Sequence, residues 1–554
     1  MTQGSRLPRG FRSCARVAAL LALPAIAQAA PIGSTPANGA GDVSRVVAPG
    51  FRFGESGEAA AVTADHLRLL APVGVPVPGI VRTSGDSAVV VPATPLAGCT
   101  TYTLELDGAG GGPVQSHFTT VCPRWQPAVQ IDDARTARRV DRPVSGVEVA
   151  AGDGAGFVAV WFQDEGTRRA ILANSFNPAT EFWSAPQDID RRAPDAGASN
   201  IPVIVSDASG QVTAVWFQAI GGRNAILASR LLGDEWGAPR RLDDPHVPGD
   251  ATDPQLATDA LGNVTVAWQQ PDGRHTAIYA ARWERAALRW LPARRLDRLD
   301  ANAYNPAVAA TPNGRVVVAW EQGGRGSEAV YASAFRPGSE AWSPPDRLSA
   351  TSLPAGQPAL AASPRGDFTA AWVVGDGASR RIAVARAAAG TASWSRPIVM
   401  RAAGFAGAAL APALAVDAGG NVTLAWEQAD RSDPRNARYA ILASRLAPPS
   451  RDWTTPHRID DPLAASAGNP VLVADGAGNV YCAWYQDGSQ GMQVYAARYD
   501  PGKAGWAAAV RLSDPLLTVQ ATLPALAVNA AGSVVAVWQQ YNGWRTIAAA
   551  SWLP

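Results

Sequence analysis

Seven arginines recur between residues 168 and 545 and are the side chains best suited to hold a charged ligand. They are Arg168, Arg223, Arg274, Arg325, Arg380, Arg435 and Arg545. Each lies in a loop between two predicted strands. Because the planar guanidinium donates paired hydrogen bonds to carboxylates and sulfates, and because loops on a rigid scaffold commonly carry binding residues, this row predicts a ligand site. The alternative is that these arginines are solvated loop charges.

Seven glutamines form a second row, each two residues after a tryptophan. They are Gln163, Gln218, Gln270, Gln322, Gln428, Gln486 and Gln540. Side chains alternate along a strand, so each glutamine lies on the same face as its tryptophan. Two hypotheses follow: the amides bond buried loop backbone between neighbouring units, or they form a ring near one rim that binds a ligand. Tyr304, Tyr541 and Trp544 would add stacking surface if they reach the same face.

The sequence gives little support for a metal site, a cofactor-binding motif or a catalytic nucleophile. The histidines fall in different units without metal-ligand spacing: His66, His117, His246, His275 and His457. Zincin, P-loop, Gly-x-Ser-x-Gly and Cys-x-x-Cys motifs are absent. Four aspartates occupy turns between strands: Asp207, Asp259, Asp417 and Asp475. Calcium needs several oxygen ligands in one loop, and each turn offers one carboxylate, so an Asx turn is the expected role. We predict no cofactor and no metal.

Tryptophan marks the elements that carry these rows. Eight lie in strands of the pattern Gly-Asn-Val-Thr-Val-Ala-Trp-x-Gln, at intervals of 52 to 58 residues: Trp161, Trp216, Trp268, Trp320, Trp372, Trp426, Trp484 and Trp538. Eight more open a Trp-x-x-Pro-x-x-Leu-like segment: Trp125, Trp183, Trp236, Trp290, Trp342, Trp394, Trp453 and Trp506. A fixed period with four short strands per unit predicts an eight-bladed β-propeller over residues 124–554, with seven blades as the alternative.

One unit shows the four strands, and the two ends of the array suggest how it closes. Strands are expected at Pro254–Asp259, Asn263–Gln270 and Ala277–Arg282, with a fourth opening at Trp290. The last unit stops after its third strand, at Ile547–Trp552, whereas a lone fourth strand, Trp125–Ile131, precedes the first unit. We predict that this N-terminal strand completes the last blade, because the pairing removes both open edges.

The repeats resemble the Asp-box, or sialidase-like, propellers. In that superfamily a turn of the form Ser-x-Asp-x-Gly-x-Thr-Trp joins strands three and four. Here the corresponding segment Asp500–Trp506 keeps the tryptophan without the full Asp-box. The resemblance implies the propeller fold. A sialidase would also need an arginine cluster, a Tyr nucleophile with a Glu partner and an Asp acid, and the sequence identifies no such set.

Residues 30–123 resemble an SbsA-type bacterial Ig-like domain. The resemblance rests on short strand-like segments: Phe51–Phe53, Leu67–Leu69, Ala88–Pro92, Thr101–Leu106 and Ser116–Thr120. It implies a β-sandwich spacer or adhesion module, with Tyr102 as the corner tyrosine. Cys99 and Cys122 flank a predicted hairpin, which favours a disulfide; a redox-active pair is the alternative. The chain as a whole is predicted to be all-β.

Residues 1–29 predict a signal peptide. Four arginines precede the apolar run Val17–Ile26, and Ala27–Ala29 is a small-x-small site, so cleavage is expected after Ala29. The run is too short to span a bilayer, and no longer one follows. The formal net charge is +1, which excludes the basic composition typical of nucleic-acid binding. We predict an exported monomer, periplasmic or extracellular, with no nucleic-acid partner and no membrane span.

Three functions fit these features. The first is a secreted, non-catalytic binding or adhesion protein whose propeller face recognises a glycan, a cell-envelope polymer or a protein. The second is a sialidase-like glycoside hydrolase. The third is a structural component of a surface or export assembly, favoured by the regular repeats. Loops that differ in length, the longest being 429–439, favour a specific partner and hence the first function.

Overall fold

The computed structural model describes most of the chain after residue 30. The described residues are 31–43, 47–54, 56–93, 96, 98–107, 112–120, 124–132, 144–152, 156–165, 168–177, 180, 182–190, 197–339, 341–350, 353–391, 393–431, 437–462, 466–488, 491–514, 520–541 and 545–553. The predicted signal peptide, Cys122, Arg435 and Trp544 lie outside them. The chain divides into two compact units, one reaching to Pro123 and the other spanning Arg124–Leu553. Across the described ranges, no helix is both long and apolar enough to cross a membrane.

The first unit consists of two sheets. Its strands are β1 (Gly33–Thr35), β2 (Ala40–Val43), β3 (Gly50–Arg52), β4 (Leu67–Ala71), β5 (Val75–Pro76), β6 (Gly79–Ser84), β7 (Ser87–Pro92), β8 (Thr101–Leu106) and β9 (Val114–Thr120), with one short helix, α1 (Ser56–Ala60), after β3. One sheet has the order β1-β3-β7-β6 and the other β2-β9-β8-β4-β5. β2 pairs with β9 in parallel, and the remaining pairs are antiparallel.

The core of this unit lies between the two sheets because the inward positions of both are apolar. Phe51 and Val90 from one sheet and Leu69, Leu104 and Phe118 from the other are at most 4% exposed and form one cluster. Tyr102 is buried in the same cluster and stacks on Phe118, with ring centroids 5.8 Å apart. Because Cys122 is outside the described residues, the disulfide from Cys99 stays a prediction.

The second unit consists of eight antiparallel sheets in chain order, numbered here sheets 1 to 8. It begins with two short strands, β10 (Arg124–Trp125) and β11 (Val129–Gln130). Sheet 1 contains β12 (Val144–Ala151), β13 (Phe157–Asp164), β14 (Arg169–Asn177), β15 (Phe182–Trp183) and β16 (Gln187–Asp188), and sheet 2 contains β17 (Ser199–Ser206), β18 (Val212–Ile220), β19 (Arg223–Leu232), β20 (Glu235–Trp236) and β21 (Arg240–Arg241). Sheet 3 contains β22 (Thr252–Thr258), β23 (Val264–Pro271), β24 (Thr276–Glu284), β25 (Arg289–Trp290) and β26 (Arg294–Arg295), and sheet 4 contains β27 (Ala303–Ala310), β28 (Val316–Gln322), β29 (Ala329–Phe335) and β30 (Asp346–Arg347).

Sheets 5 to 8 follow the same plan. Sheet 5 contains β31 (Ala355–Ala362), β32 (Phe368–Val374), β33 (Arg381–Ala387) and β34 (Ile398–Val399), and sheet 6 contains β35 (Ala409–Val416), β36 (Val422–Ala429), β37 (Tyr439–Leu446) and β38 (His457–Arg458). Sheet 7 contains β39 (Ala467–Ala474), β40 (Val480–Gly488), β41 (Gly491–Asp500), β42 (Gly505–Trp506) and β43 (Val510–Arg511), and sheet 8 contains β44 (Ala521–Val528), β45 (Val534–Tyr541) and β46 (Arg545–Leu553) together with β10 and β11. Each sheet is an open sheet of three long strands with a short, often interrupted, fourth.

The sheets contact one another in circular order. The first strand of each sheet contacts the first strand of the next, and β44 of sheet 8 contacts β12 of sheet 1. The second strands are apolar on both faces because each sheet packs against a neighbour on either side. Their eight tryptophans are at most 1% exposed and anchor the clusters between sheets.

The two strands that begin the second unit, β10 and β11, pair with its last strand, β46. Arg124 and Trp125 are opposite Leu553 and Trp552, and Val129 and Gln130 are opposite Ala549 and Ala548. This is the pairing that the sequence predicts. It supplies sheet 8 with an outer strand beside β46.

Turns between the first and second strands are held by aspartate side chains. Oδ1 of Asp259 accepts hydrogen bonds from the backbone N–H groups of Leu261 and Asn263. Asp207 and Asp475 make equivalent contacts. These are Asx turns, the role expected for them, and among the described residues no group of three or more His, Cys, Asp or Glu could hold a metal ion.

Candidate ligand-binding site

The seven glutamines are buried inside the sheets. Each is at most 4% exposed, and in each the Oε1 atom accepts a hydrogen bond from Nε1 of the tryptophan two residues before it, at 2.8 to 3.2 Å. In five of them the amide nitrogen also donates to carbonyls of the loop that leads into the first strand, as Gln428 does to Gly407 and Gln322 to Ala301. These are the contacts of the structural hypothesis, so the proposal below rests on other residues.

Sheet 5 lacks this contact because Val374 stands where the other sheets have glutamine. Nε1 of Trp372 is buried there and has no hydrogen-bond partner within the described chain. Trp320→Phe should therefore cost more than Trp372→Phe, by about 1–3 kcal/mol, because only the former leaves a buried amide oxygen, that of Gln322, without its donor. Guanidinium chloride unfolding of the two variants measures the difference. Equal losses would mean that the Trp–Gln bond contributes nothing net.

The structure separates the predicted arginines into two groups. Arg168, the residue before β14, forms ion pairs with Asp188 and Asp190 of sheet 1. The others within the described residues are exposed: Arg223, Arg274, Arg325, Arg380 and Arg545. Arg380 lines a cavity of about 240 Å³ together with Glu321, Glu328 and Gln357. Arg545 lines one of about 250 Å³ together with Tyr541 and Gln539.

A ring of strained residues, here called the bulge ring, lies on the first strands. Its members occupy the same position in all eight sheets and have φ between 42° and 63°: Gly146, Ile201, Asp253, Asn305, Gln357, Ala411, Asn469 and Leu523. The pairing of each first strand with its second strand shifts register there. Because these positions pair near the ends of the second strands, they lie toward the loops that carry Arg380 and Arg545.

The bulge ring is unfavourable for the backbone by itself. Positive φ is uncommon for residues other than glycine, and for a β-branched residue such as Ile201 it is an outlier. All seven non-glycine members precede a proline, which biases them further toward extended backbone. Each such residue costs on the order of 1–3 kcal/mol and persists only where surrounding contacts enforce it, a situation that concentrates at ligand sites.

Three of the bulges are held by side chains of a second ring, here called the rim row, formed by the residue after each second-strand tryptophan. Its members are Phe162, Phe217, Gln269, Glu321, Val373, Glu427, Tyr485 and Gln539. Their side chains face away from the buried glutamines because faces alternate along a strand. Oε2 of Glu321 accepts from the backbone N–H of Gln357 at 2.9 Å, and Oε1 of Glu427 accepts from that of Asn469 at 2.7 Å. Each bond reaches from one sheet to the bulge of the next.

Four members of the bulge ring, from sheets 3 to 6, border a cavity of about 640 Å³, here called the central cavity. Asp253, Asn305, Gln357 and Ala411 line it, with Gln255 one step further along its strand. The groups that face it combine amides and a carboxylate with small apolar side chains, so they offer both hydrogen-bond donors and acceptors. Burial raises the pKa of Asp253, and burial, partly offset by the Asn469 N–H, raises that of Glu427.

Glu148 of β12 occupies the register position of Gln255 in the first strand of sheet 1. Its side chain is reached by solvent, but protein surrounds it, and this desolvation raises its pKa from 4.5 to about 7. The folded state thus binds this proton more tightly than the unfolded chain does. The contribution of Glu148 to the free energy of unfolding therefore falls as pH rises from 4.5 to about 7 and is constant above that. Glu148→Gln should be more stable than the natural chain at pH 8 and equal to it at pH 4, in thermal melts. The same advantage at both pH values would contradict this.

The comparisons with known proteins identify the first unit. Residues 29–120 match the family model of the bacterial Ig-like domain. No curated protein sequence matches the chain.

Solved structures of glycan-active enzymes share a distant likeness with the chain. The polysaccharide lyase Uly1 covers 66% of this chain and 92% of its own, with 9% identity and a TM-score of 0.43. A polysaccharide lyase of the ulvan lyase family PL25 covers 67% and 95%, with 11% identity and a TM-score of 0.43. The α-L-arabinanase of Penicillium chrysogenum covers 54% and 92%, with 11% identity and a TM-score of 0.37. At these scores none of them assigns an activity to this chain.

Proposed function

We propose that the chain is an exported, non-catalytic binding protein that recognises a glycan or another hydroxyl-rich polymer of the cell envelope. In this proposal residues 1–29 are the signal peptide, residues 30–123 an Ig-like spacer of the SbsA type, and residues 124–554 an eight-bladed β-propeller related to the Asp-box group. The circular order of contacts among eight like sheets supports the propeller. The ligand lies at the mouth of the central cavity.

The observation that carries this proposal is the bulge ring. Eight first strands carry a positive-φ bulge at the same position, four of these bulges line one cavity, and rim-row side chains from neighbouring sheets bond three of the eight. The cavity mouth thereby presents Asn305, Gln357 and Asp253 on a rigid frame. Amides and carboxylates bind sugar hydroxyls, which donate and accept hydrogen bonds. Preorganised polar groups of this kind bind without a large ordering cost.

An array of glycans and envelope polymers, probed with residues 30–554, tests the proposal. We expect binding that falls at least tenfold in the double variant Asn305→Ala, Gln357→Ala. Glu235→Gln, an exposed change at the opposite end of the sheets, serves as the matched control and should bind as the natural chain does. The proposal is overturned by silence across the array, or by binding that the double variant leaves intact.

A further inference from the structure

Five third strands carry an arginine at one register position: Arg230, Arg282, Arg386, Arg445 and Arg498. Four of them stack on an aromatic ring of the next sheet. Arg230 lies over Trp283, Arg282 over Phe335, Arg445 over Tyr499 and Arg498 over Trp552, with guanidinium carbons 4.5 to 5.8 Å from the ring centroids. This cation–π contact joins neighbouring sheets.

Arg386 of sheet 5 is the exception because the next sheet offers no ring. The residue at the aromatic position of sheet 6 is Leu446, which pairs with Val422 as Tyr499 pairs with Val480. Nε of Arg386 is buried and has no hydrogen-bond partner within the described ranges. Its ion pair with Asp367 is long, at 3.8 Å, close to the 3.9 Å of Arg230 with Asp207, but Arg230 also has its ring.

A cavity of about 500 Å³ lies where the ring is missing. It is lined by Arg386, Arg396 and Ile398 of sheet 5 and by Pro449, Arg451 and Trp453 of sheet 6. These segments lie at the end of the sheets away from Arg380 and the bulge ring. In sheets 3 and 7 the tryptophan that opens the fourth strand packs edge-on against an aromatic partner, as Trp290 does on Trp283. Trp453 has Leu446 at that position instead, so the structure gives it no ring partner among the described residues.

The charges that line this cavity are unbalanced. Three arginines line it, and the one acidic residue among its described lining residues is Asp367. Arg396 and Arg451 are exposed and form no ion pair with any described residue. Like charges in one cavity repel, so the cavity attracts an anion. The forked guanidinium suits a planar carboxylate or a sulfate, and an indole face suits the apolar face of a ring.

We propose that this cavity is a second carbohydrate site, which binds one sugar unit bearing a carboxylate or sulfate group. The acidic group accepts hydrogen bonds from Arg386, Arg396 and Arg451, and the sugar ring packs on Trp453. The size of the cavity suits one or two sugar units. The site is separate from the bulge ring and stands on different residues from the proposed function.

Isothermal titration of residues 30–554 with four probes tests this site: a galacturonate oligosaccharide, a sulfated dextran oligosaccharide, cellotetraose and inorganic phosphate. We expect the two acidic saccharides to bind at least tenfold more tightly than cellotetraose, and binding to weaken in high salt. Arg396→Gln and Arg451→Gln should each lower that affinity about tenfold, a loss of about 1.4 kcal/mol. Both residues are exposed, so neither change threatens folding.

Two controls separate this proposal from the first. Arg289→Gln, an exposed arginine at the same end of sheet 3, should bind acidic saccharides as the natural chain does, and so should Asn305→Ala, Gln357→Ala. Leu446→Tyr restores the ring found in sheet 7 and should remove the binding. If phosphate binds as tightly as the acidic saccharides, the claim that the cavity recognises the sugar ring is overturned. Equal affinity for acidic saccharides and cellotetraose, or arginine variants that bind unchanged, would overturn the site while leaving the proposed function standing.

Discussion

Replacing residues 124–131 with a glycine–serine segment of equal length will lower the melting temperature of the second unit by on the order of 10 °C. The segment contributes more than two short strands. The backbone N–H of Gln126 donates to Ser551 at 2.7 Å, and that of Ile131 donates to Ile547 at 2.9 Å. Trp125 packs edge-on against Trp552 with ring centroids 5.9 Å apart. Without it, β46 becomes an unpaired edge.

Ile131 shows why the loss reaches beyond sheet 8. It is 4% exposed and packs in the cluster that joins sheets 8 and 1. Its carbonyl accepts a hydrogen bond from Nδ2 of Asn174, in the third strand of sheet 1, at 2.8 Å. The segment thus binds the last sheet and the first sheet at once. In a circular array, removing this segment weakens the interface at which the last sheet meets the first, whereas in an open array it would only expose one sheet edge.

Single changes within the segment give the matched comparison. Ile131→Ala should cost about 2–5 kcal/mol because it opens a hole in a packed core. Val129→Ala changes a side chain that is 48% exposed and should stay within about 0.5 kcal/mol. Calorimetry of the two variants and of the replaced segment measures this order. A replaced segment that melts like the natural chain would show that sheets 8 and 1 hold together without it.

The sequence predicts the strands well because the apolar pattern and the tryptophans recur at one period. The unit that contains Trp268 has strands at Thr252–Thr258, Val264–Pro271 and Thr276–Glu284, each within two residues of the expected bounds. The pairing of Trp125 with Trp552 was also predictable, because a lone fourth-strand pattern precedes the first repeat and matches the outer strands of the other repeats.

The site was harder to predict because the second strands are apolar on both faces. The pattern shows that residues alternate and does not show which of two adjacent polar residues faces the cavity. Gln322 is buried against Trp320, whereas Glu321 reaches the next sheet's bulge. A usable signal was present: seven prolines, among them Pro254 and Pro306, follow the bulge residues at the tryptophan period, and proline inside a strand marks a bulge.

The sequence pattern of sheet 3 does not predict the cation–π contact of Arg282, because the aromatic partner, Phe335, lies in sheet 4. Nη2 of Arg282 is 2.7 Å from Oδ2 of Asp259, Nη1 donates to Oγ1 of Thr265 at 3.0 Å, and the guanidinium lies over Phe335. The side chains of Arg282 and Asp259 are 9% and 0% exposed. Arg282→Met should therefore cost about 3–5 kcal/mol, because it leaves the buried Asp259 carboxylate without its counter-charge.

A double-mutant cycle separates the lost ion pair from lost packing. Asp259→Asn keeps an Oδ1 acceptor for the turn, so in the Arg282→Met background it removes the uncompensated charge and should restore part of the lost stability. Arg289→Met, an exposed change in the same sheet, is the control and should stay within about 0.5 kcal/mol. Denaturant unfolding of the natural chain, Arg282→Met, Asp259→Asn and the double variant measures the coupling free energy between the two residues. Additive losses would assign the effect to the contact with Phe335 of sheet 4 and not to the ion pair of Arg282 with Asp259, which lies within sheet 3.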